Sequence, residues 1–185
     1  MKNVIKPLIA IFAMLIAYSN TTNAQTTATP NLNIIINPLL NITATGPAHL
    51  TYSTITDYTG GKDSTAIGQL SVTSILPYTV SVKGSGDFMN GTNSIALGNV
   101  VVTAPATPNN QAVSLISSGI SNVQTPSLTT SSQAVFGGTW AFAAPIDVEY
   151  KISSTNSMTA NGSGGVLGAP TGTYTAQLTY TISNP

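Results

Sequence analysis

The sequence contains no cysteine. Small secreted domains that depend on disulfides are therefore excluded, and so is any mechanism that uses a cysteine nucleophile. Histidine is almost as scarce, because His49 is the single one in the chain. A fold without disulfides has to be stabilised by a buried core alone, which a chain of this length can supply.

Charged side chains are the second scarcity. They make up 5% of the sequence, against about 25% in an average soluble domain, yet 42% of the residues are hydrophobic, so the shortage does not indicate disorder. Beyond residue 24, three lysines stand against five acidic residues, a net charge of −2. This balance excludes nucleic acid as a partner and a basic membrane-binding face.

The first 24 residues are predicted to be a signal peptide. Lys2 and Lys6 precede an apolar run from Leu8 to Ala17, and the small residues of Thr22-Asn23-Ala24 suit signal peptidase. The run is about half of the ~20 residues that a transmembrane helix needs, and no later segment is long and apolar enough to span a bilayer. We expect residues 25–185 to form one exported domain, secreted or at the cell surface, with the periplasm as the alternative location.

Hydrophobic and polar residues alternate along much of the remaining sequence, which is typical of strands with one buried face. In the most regular case, Thr173–Ser183, the residues on one face are Tyr174, Ala176, Leu178, Tyr180 and Ile182. Ile146–Ile152 and Tyr78–Lys83 alternate in the same way. No segment has the period of a helix.

Weaker strand patterns lie in Leu32–Thr43, Leu50–Thr56, Gln69–Ile75, Ile95–Thr103, Ala112–Ile116 and Gln133–Phe142. About nine short strands separated by Gly, Asn and Pro turns predict an all-β fold. We expect an antiparallel Greek-key β-sandwich, with a closed barrel as the alternative architecture. Ser118–Ser132 is predicted to be a long loop, and Asn161–Gly165 a hairpin connection.

Catalytic residues are not recognisable in this sequence. His49 has no carboxylate at a spacing that would orient it as a base, so we interpret it as a surface residue. Asp147 and Glu149 lie on the polar face of a predicted strand beside Lys151, where we expect them to be exposed to solvent. The chain is predicted not to be an enzyme and to carry no cofactor.

Oxygen ligands for a metal are concentrated around one turn. Asp57, Asp63 and Ser64 flank Gly60-Gly61, and hard cations such as calcium take ligands of this kind from loops. Their spacing matches no calcium loop, whereas acidic residues commonly cap turns. We therefore predict turn capping and no metal site.

The aromatic residues are the remaining candidates for a function. Trp140, the single tryptophan, lies between Phe136 and Phe142, and all three stand at even-numbered positions. On one strand they would share a face, which is either part of the core or a platform on which sugar rings stack.

Two stretches share an aromatic-x-aliphatic strand pattern. In Pro77–Val102, Tyr78-Thr79-Val80 is followed by a Phe, an Asn-Gly turn and an apolar strand. In Gly172–Pro185, Tyr180-Thr181-Ile182 ends a strand three residues before a proline. Both stretches resemble the WxL family, bacterial surface domains that are named for paired Trp-x-Leu motifs and associate noncovalently with cell walls. This chain has tyrosine in place of both tryptophans.

The resemblance implies a β-sandwich module at the cell surface that contacts peptidoglycan or another surface glycan. It places Tyr78 and Tyr180 where the signature aromatics of the family lie. Together with Trp140 they are the candidate ligand-binding residues. The alternation directs both tyrosines to the core, so a structural role for them stays open.

Two hypotheses of function follow. The first is a secreted, non-enzymatic cell-surface or cell-wall domain with a structural or glycan-binding role. The alternative is a subunit of a fimbria-like or matrix polymer, because every even position from Leu32 to Ile42 is apolar or proline and such a segment can complete the sheet of another copy. We expect pairing within the chain, since consecutive strands usually pair nearby.

Overall fold

A computed structural model describes residues 28–110 and 120–185, which belong to two units, Met1–Ile36 and Asn37–Pro185. The predicted signal peptide and the predicted strand Ala112–Ile116 lie outside the described residues. In the first unit, residues 28–36 have no regular secondary structure. The side chains of Leu32, Ile34, Ile35 and Ile36 are 77–87% exposed.

The second unit is built from strands. Those in its described part are β1 (Leu40–Ala44), β2 (Lys62–Ser74), β3 (Tyr78–Gly84), β4 (Phe88–Asn90), β5 (Asn93–Ile95), β6 (Val100–Thr103), β7 (Gln133–Gly138), β8 (Ala141–Ile152) and β9 (Leu178–Ser183). The described part also contains two short α-helices, α1 (Ile55–Gly60) and α2 (Ser154–Met158), and three 3-10 turns, Leu97–Asn99, Pro108–Asn110 and Asn161–Ser163.

All strand pairing is antiparallel. One sheet has the order β1-β2-β8-β6, a second has the order β7-β3-β9, and β4 and β5 form a separate hairpin. The prediction of an all-β fold with antiparallel sheets is therefore confirmed.

One hydrophobic core contains side chains from both larger sheets. The predicted alternation holds where it is most regular. In β8, Ile146, Val148, Tyr150 and Ile152 are buried, and in β9 the even positions are partly buried while the odd positions are exposed. Buried and exposed residues alternate in these strands because each strand has one face on this core.

The expectation that no helix would form is wrong, and so is the predicted strand Leu50–Thr56. Thr54 begins α1 with a capping box: its hydroxyl accepts from the Asp57 N–H at 3.3 Å, and Asp57 Oδ2 accepts from the Thr54 N–H at 2.8 Å. Such side-chain bonds replace the partners that the first helical N–H groups lack. No helix in the described residues is long and apolar enough to cross a membrane.

The prediction that Asp57 and Asp63 cap the turn at Gly60-Gly61 is corrected, because Asp57 caps the amino-terminal end of α1. The other carboxylate oxygen of Asp57 lies 2.7 Å from Lys62 Nζ. The bond from Lys62, followed by the N–H groups of Ser53 and Thr54, holds the pKa of Asp57 below its usual range. Asp63 is exposed on β2 instead.

Other predicted boundaries are corrected as well, among them that of Thr173–Ser183, which is a strand only from Leu178. Leu32–Thr43 becomes a strand only at Leu40, and Ile95–Thr103 is interrupted by the 3-10 turn at Leu97–Asn99. Gln133–Phe142 divides between β7 and β8, which belong to different sheets. Asn161–Gly165, predicted as a hairpin connection, contains a 3-10 turn that ends at the left-handed Gly164 (φ +82°), a conformation that glycine adopts without strain.

Candidate functional site

A bulge at the start of β8 turns Phe142 toward solvent. Between the pairs Ser74–Ala141 and Val72–Ala144, Thr73 of β2 faces two residues, Phe142 and Ala143. Ala143 has a φ of +47°, which is costly for a residue other than glycine, and its N–H donates to Thr73 Oγ1 at 3.0 Å. Bulges re-aim side chains in this way, and here the Phe142 ring is 46% exposed.

Trp140 lies beside Phe142, between the end of β7 and the start of β8. The two ring centroids are 5.7 Å apart with the ring planes tilted by 50°, and the Trp140 side chain is half-buried. Phe136 is buried in the core, so the prediction that the three aromatic residues share a face is wrong. Every second residue does not stay on one face here, because the chain changes sheet at Thr139-Trp140 and the bulge adds a residue.

The Trp140–Phe142 pair offers apolar ring surface to the solvent. Aromatic rings stack on other flat apolar surfaces, and the C–H faces of sugar rings are such surfaces. Of the three candidate ligand-binding residues, Trp140 is the one beside an exposed partner ring.

Tyr78 is a core residue of β3. Its side chain is 2% exposed, and its hydroxyl is buried with no hydrogen-bond partner among residues 28–110 and 120–185. The ring packs on β7 so closely that a Cβ at Gly138 would lie 2.6 Å from the Tyr78 hydroxyl oxygen. Burial raises the pKa of Tyr78 to about 12.

Removing this hydroxyl should not weaken the fold. A buried polar group without a partner costs about 1–3 kcal/mol, so Tyr78→Phe is expected to raise the free energy of unfolding by about 1 kcal/mol. Tyr150→Phe is the matched control, because the Tyr150 hydroxyl donates to Gln69 Oε1 at 2.6 Å, and its loss should destabilise the protein. Urea denaturation of the two variants tests the pair, and a destabilised Tyr78→Phe would mean that the hydroxyl has a partner.

Tyr180 faces the core from β9, as the alternation predicts, and is partly buried. Its hydroxyl lies 2.5 Å from that of Tyr150, which in turn bonds Gln69. Burial, then the nearby Tyr150, raises the pKa of Tyr180 far above its ordinary value. The motif-like strands β3 and β9 are paired neighbours, with Tyr180 opposite Val82. A ligand role for Tyr78 and Tyr180 stays a prediction.

A shallow surface groove of about 550 Å³ lies along β7. Its lining combines amide and hydroxyl side chains with a few apolar ones: Thr79, Asn122, Gln124, Thr125, Pro126, Gln133, Ala134, Phe136 and Gly137. None of these lining residues is ionisable at neutral pH. Groups that donate and accept hydrogen bonds without charge suit a neutral, hydroxyl-rich ligand.

Asp147 is buried, so the expectation that it is exposed is wrong. The Gly68 N–H donates to its carboxylate at 2.6 Å, and the Asn109 side chain does so at 2.8 Å. Burial alone would raise the pKa of Asp147, but the hydrogen bonds from Asn109 and Gly68 outweigh burial and lower it. A satisfied carboxylate of this kind has a structural role.

The other titratable candidates do not come together. His49 is exposed in the connection between β1 and α1, and Glu149 is only partly buried on β8. In the described parts of the chain, no three His, Asp or Glu side chains are grouped so that they could hold a metal ion.

The groove residues are the part of the site that sequence reasoning missed. They come from β3, from β7 and from the segment that precedes β7, which has no periodic pattern. The one signal that pointed near them was the length of the predicted loop Ser118–Ser132, since long loops are often functional.

No family model matches this chain, and a search of curated proteins finds no match either.

Proposed function

We propose that this chain is an exported, non-enzymatic domain of the bacterial cell surface, with a Greek-key β-sandwich architecture and a structural and glycan-binding role. Its partner is peptidoglycan or another surface glycan. The Trp140–Phe142 pair, in which the Phe142 ring is exposed and the Trp140 ring half-buried, is the observation that carries the proposal. The WxL-like stretches and the signal-like amino terminus support the location.

The surface chemistry agrees with a neutral glycan. Sugar binding combines ring stacking with uncharged donors and acceptors, and the protein offers both in the Trp140–Phe142 pair and the amide-lined groove. With 5% charged residues the chain has little with which to recognise a strongly charged partner.

Cosedimentation with purified cell wall tests the proposal. Trp140→Ala and Phe142→Ala should each weaken binding about tenfold, the equivalent of ~1.4 kcal/mol, because each removes a stacking face. Both side chains are at least partly exposed, so the melting temperature should change little. Ile67→Ala is the matched control: Ile67 is an exposed apolar residue on β2, and its loss should leave binding intact.

Two results would reject this role. Binding that is equal in the parent and in both aromatic variants would place the ligand elsewhere. An absence of binding by the parent would remove the glycan as partner.

A polymer subunit is the second candidate, and a specific observation favours it. Leu32, Ile34, Ile35 and Ile36 are exposed apolar residues in a segment without regular secondary structure, although pairing within the chain was expected. Contiguous apolar residues on a surface mark interaction sites or aggregation liabilities. Ladders that resist SDS on gels of unboiled surface protein are the expected sign of such a polymer.

A further inference from the structure

The chain contains two Asn-Gly pairs, Asn90-Gly91 and Asn161-Gly162. An asparagine that precedes glycine loses its side-chain amide readily, because glycine has no side chain to keep its backbone nitrogen away from the amide carbon. Both pairs lie at turns. The surroundings of each pair decide whether it reacts in the folded protein.

Asn161 is held in place by hydrogen bonds. Its Nδ2 donates to the Ser94 carbonyl at 2.8 Å and to the Gly165 carbonyl at 3.1 Å. Its backbone N–H donates to the Leu167 carbonyl at 2.8 Å. The side chain can turn toward the Gly162 nitrogen only after both hydrogen bonds of the amide have broken.

Asn90 has the opposite surroundings. It is the last residue of β4, and the two-residue turn Gly91-Thr92 separates it from Asn93, the first residue of β5. Its side chain is partly exposed and packs against Gly172, where a Cβ would overlap Nδ2. Among the described residues the Asn90 amide has no hydrogen-bond partner. No hydrogen bond therefore has to break before this amide rotates.

The backbone nitrogen that would attack the Asn90 amide is also accessible. Gly91 is exposed, has a φ of +61°, and its N–H makes no hydrogen bond within the described part of the chain. A Cβ built on Gly91 would meet no atom within 4 Å, so the turn is open on that side. The two groups that have to meet are thus both free of hydrogen bonds.

We infer that Asn90 is a site at which the folded protein deamidates, whereas Asn161 is protected. The Gly91 nitrogen bonds to Cγ of Asn90 and gives up its proton, the bond from Cγ to the side-chain nitrogen breaks, and ammonia leaves. The product is a succinimide ring. Water opens this ring at either carbonyl and gives aspartate or isoaspartate, so that one water is consumed for each ammonia released. This modification is independent of both candidate functions.

Either product changes the β4–β5 hairpin. Both add one negative charge, which takes the net charge of residues 25–185 from −2 to −3. Isoaspartate also adds a carbon to the main chain just before Gly91, and the length of a hairpin turn sets the register of its strands. The affected strand β4 is bonded on both sides, to β5 and, through Met89, to Thr175. We therefore expect the modified protein to differ from the parent in charge and in the attachment of this hairpin.

Mass spectrometry of proteolytic peptides tests the inference. The protein is incubated in mildly alkaline buffer, folded in one sample and unfolded in guanidinium chloride in another, until half of each Asn-Gly asparagine in the unfolded sample has reacted. In the unfolded chain the two pairs should react at similar rates, because no structure distinguishes them. In the folded protein Asn90 should react at least about tenfold faster than Asn161, because the two hydrogen bonds of the Asn161 amide have to break first.

Asn90→Gln tests the same site by charge. Glutamine keeps the amide but would have to close a larger ring, so anion-exchange chromatography should show far less of the acidic product than in the parent. Asn41→Gln is the matched control, because Asn41 is an exposed asparagine that no glycine follows, and it should acidify like the parent.

Three results would overturn the inference. The first is an equal rate at Asn90 and Asn161 in the folded protein. The second is an Asn90 that reacts in the unfolded chain but not in the folded one. The third is an Asn90→Gln variant that acidifies at the parent rate, which would place the reaction elsewhere.

Discussion

Replacing Asn110 with alanine should lower the free energy of unfolding by about 3 kcal/mol. The Asn110 side chain is buried and pairs the backbone of Asp147: its Oδ1 accepts from the Asp147 N–H at 2.9 Å, and its Nδ2 donates to the Asp147 carbonyl at 2.9 Å. Nδ2 also donates to the Pro105 carbonyl at 2.8 Å. Each buried group left without a partner costs about 1–3 kcal/mol.

Asp147 depends on Asn110 because the strands beside it are interrupted there. The β2–β8 pairing jumps from Ala66–Val148 to Leu70–Ile146, and β6 ends opposite Glu149. A side-chain amide thus takes the place of a neighbouring strand.

Asn109→Ala is the matched control for this prediction. The Asn109 amide is partly buried, and among the described residues it bonds only the Asp147 carboxylate. That carboxylate keeps the Gly68 N–H as a second donor. Its loss should cost about 1 kcal/mol. Urea denaturation measures both variants, and equal stability of the two would show that Asn110 does not hold the β8 backbone.

The strands that could be predicted from the sequence are those with one face on the core. In β3, β8 and β9, buried apolar positions alternate with more exposed polar positions, and this alternation is visible in the sequence. The exception, Asp147, is polar and buried, because its environment is made by residues 68 and 105–110, far away in the chain. The alternation of apolar and polar residues predicts which face of a strand points inward, but it does not predict what covers the outward face.

The helices and the segment before β1 show where local patterns mislead. Residues 50–54 carry a strand-like pattern, yet the Thr54–Asp57 capping box, visible in the sequence, begins α1. In Leu32–Thr43 the alternation is present, but the structure has a strand only from Leu40, where β2 supplies a partner. Hydrophobic alternation predicts that a strand can form, and a partner decides whether it does.

The candidate site was only partly accessible to sequence reasoning. Trp140 was identifiable as an aromatic residue among others, but its pairing with Phe142 depends on the bulge at Ala143, and no glycine marks that left-handed position. The tyrosines at the WxL-like motifs lie where alternation places them, on the inward side of β3 and β9. The groove could not be predicted, because it forms where segments about forty residues apart in the sequence come together, and no local pattern encodes such contacts.

Tyr180→Ala should destabilise the protein by about 3 kcal/mol. Truncation of a large buried aromatic residue costs 3–5 kcal/mol, and the lower end applies because Tyr180 is only partly buried. The Tyr150 hydroxyl would also lose one partner while it keeps Gln69. Thermal and urea unfolding measure the loss.

Tyr174→Ala serves as the control for Tyr180, because Tyr174 also has an even position and a partly buried ring. In the described part of the chain its hydroxyl bonds only the Pro170 carbonyl, at an exposed site. Its truncation should cost clearly less than that of Tyr180. If Tyr180→Ala unfolds like the parent and loses cell-wall binding, the tyrosine is a ligand contact, as its place in the WxL-like motif implies. If it is destabilised and the folded fraction still binds, Tyr180 holds β9 on the core and is not a ligand contact.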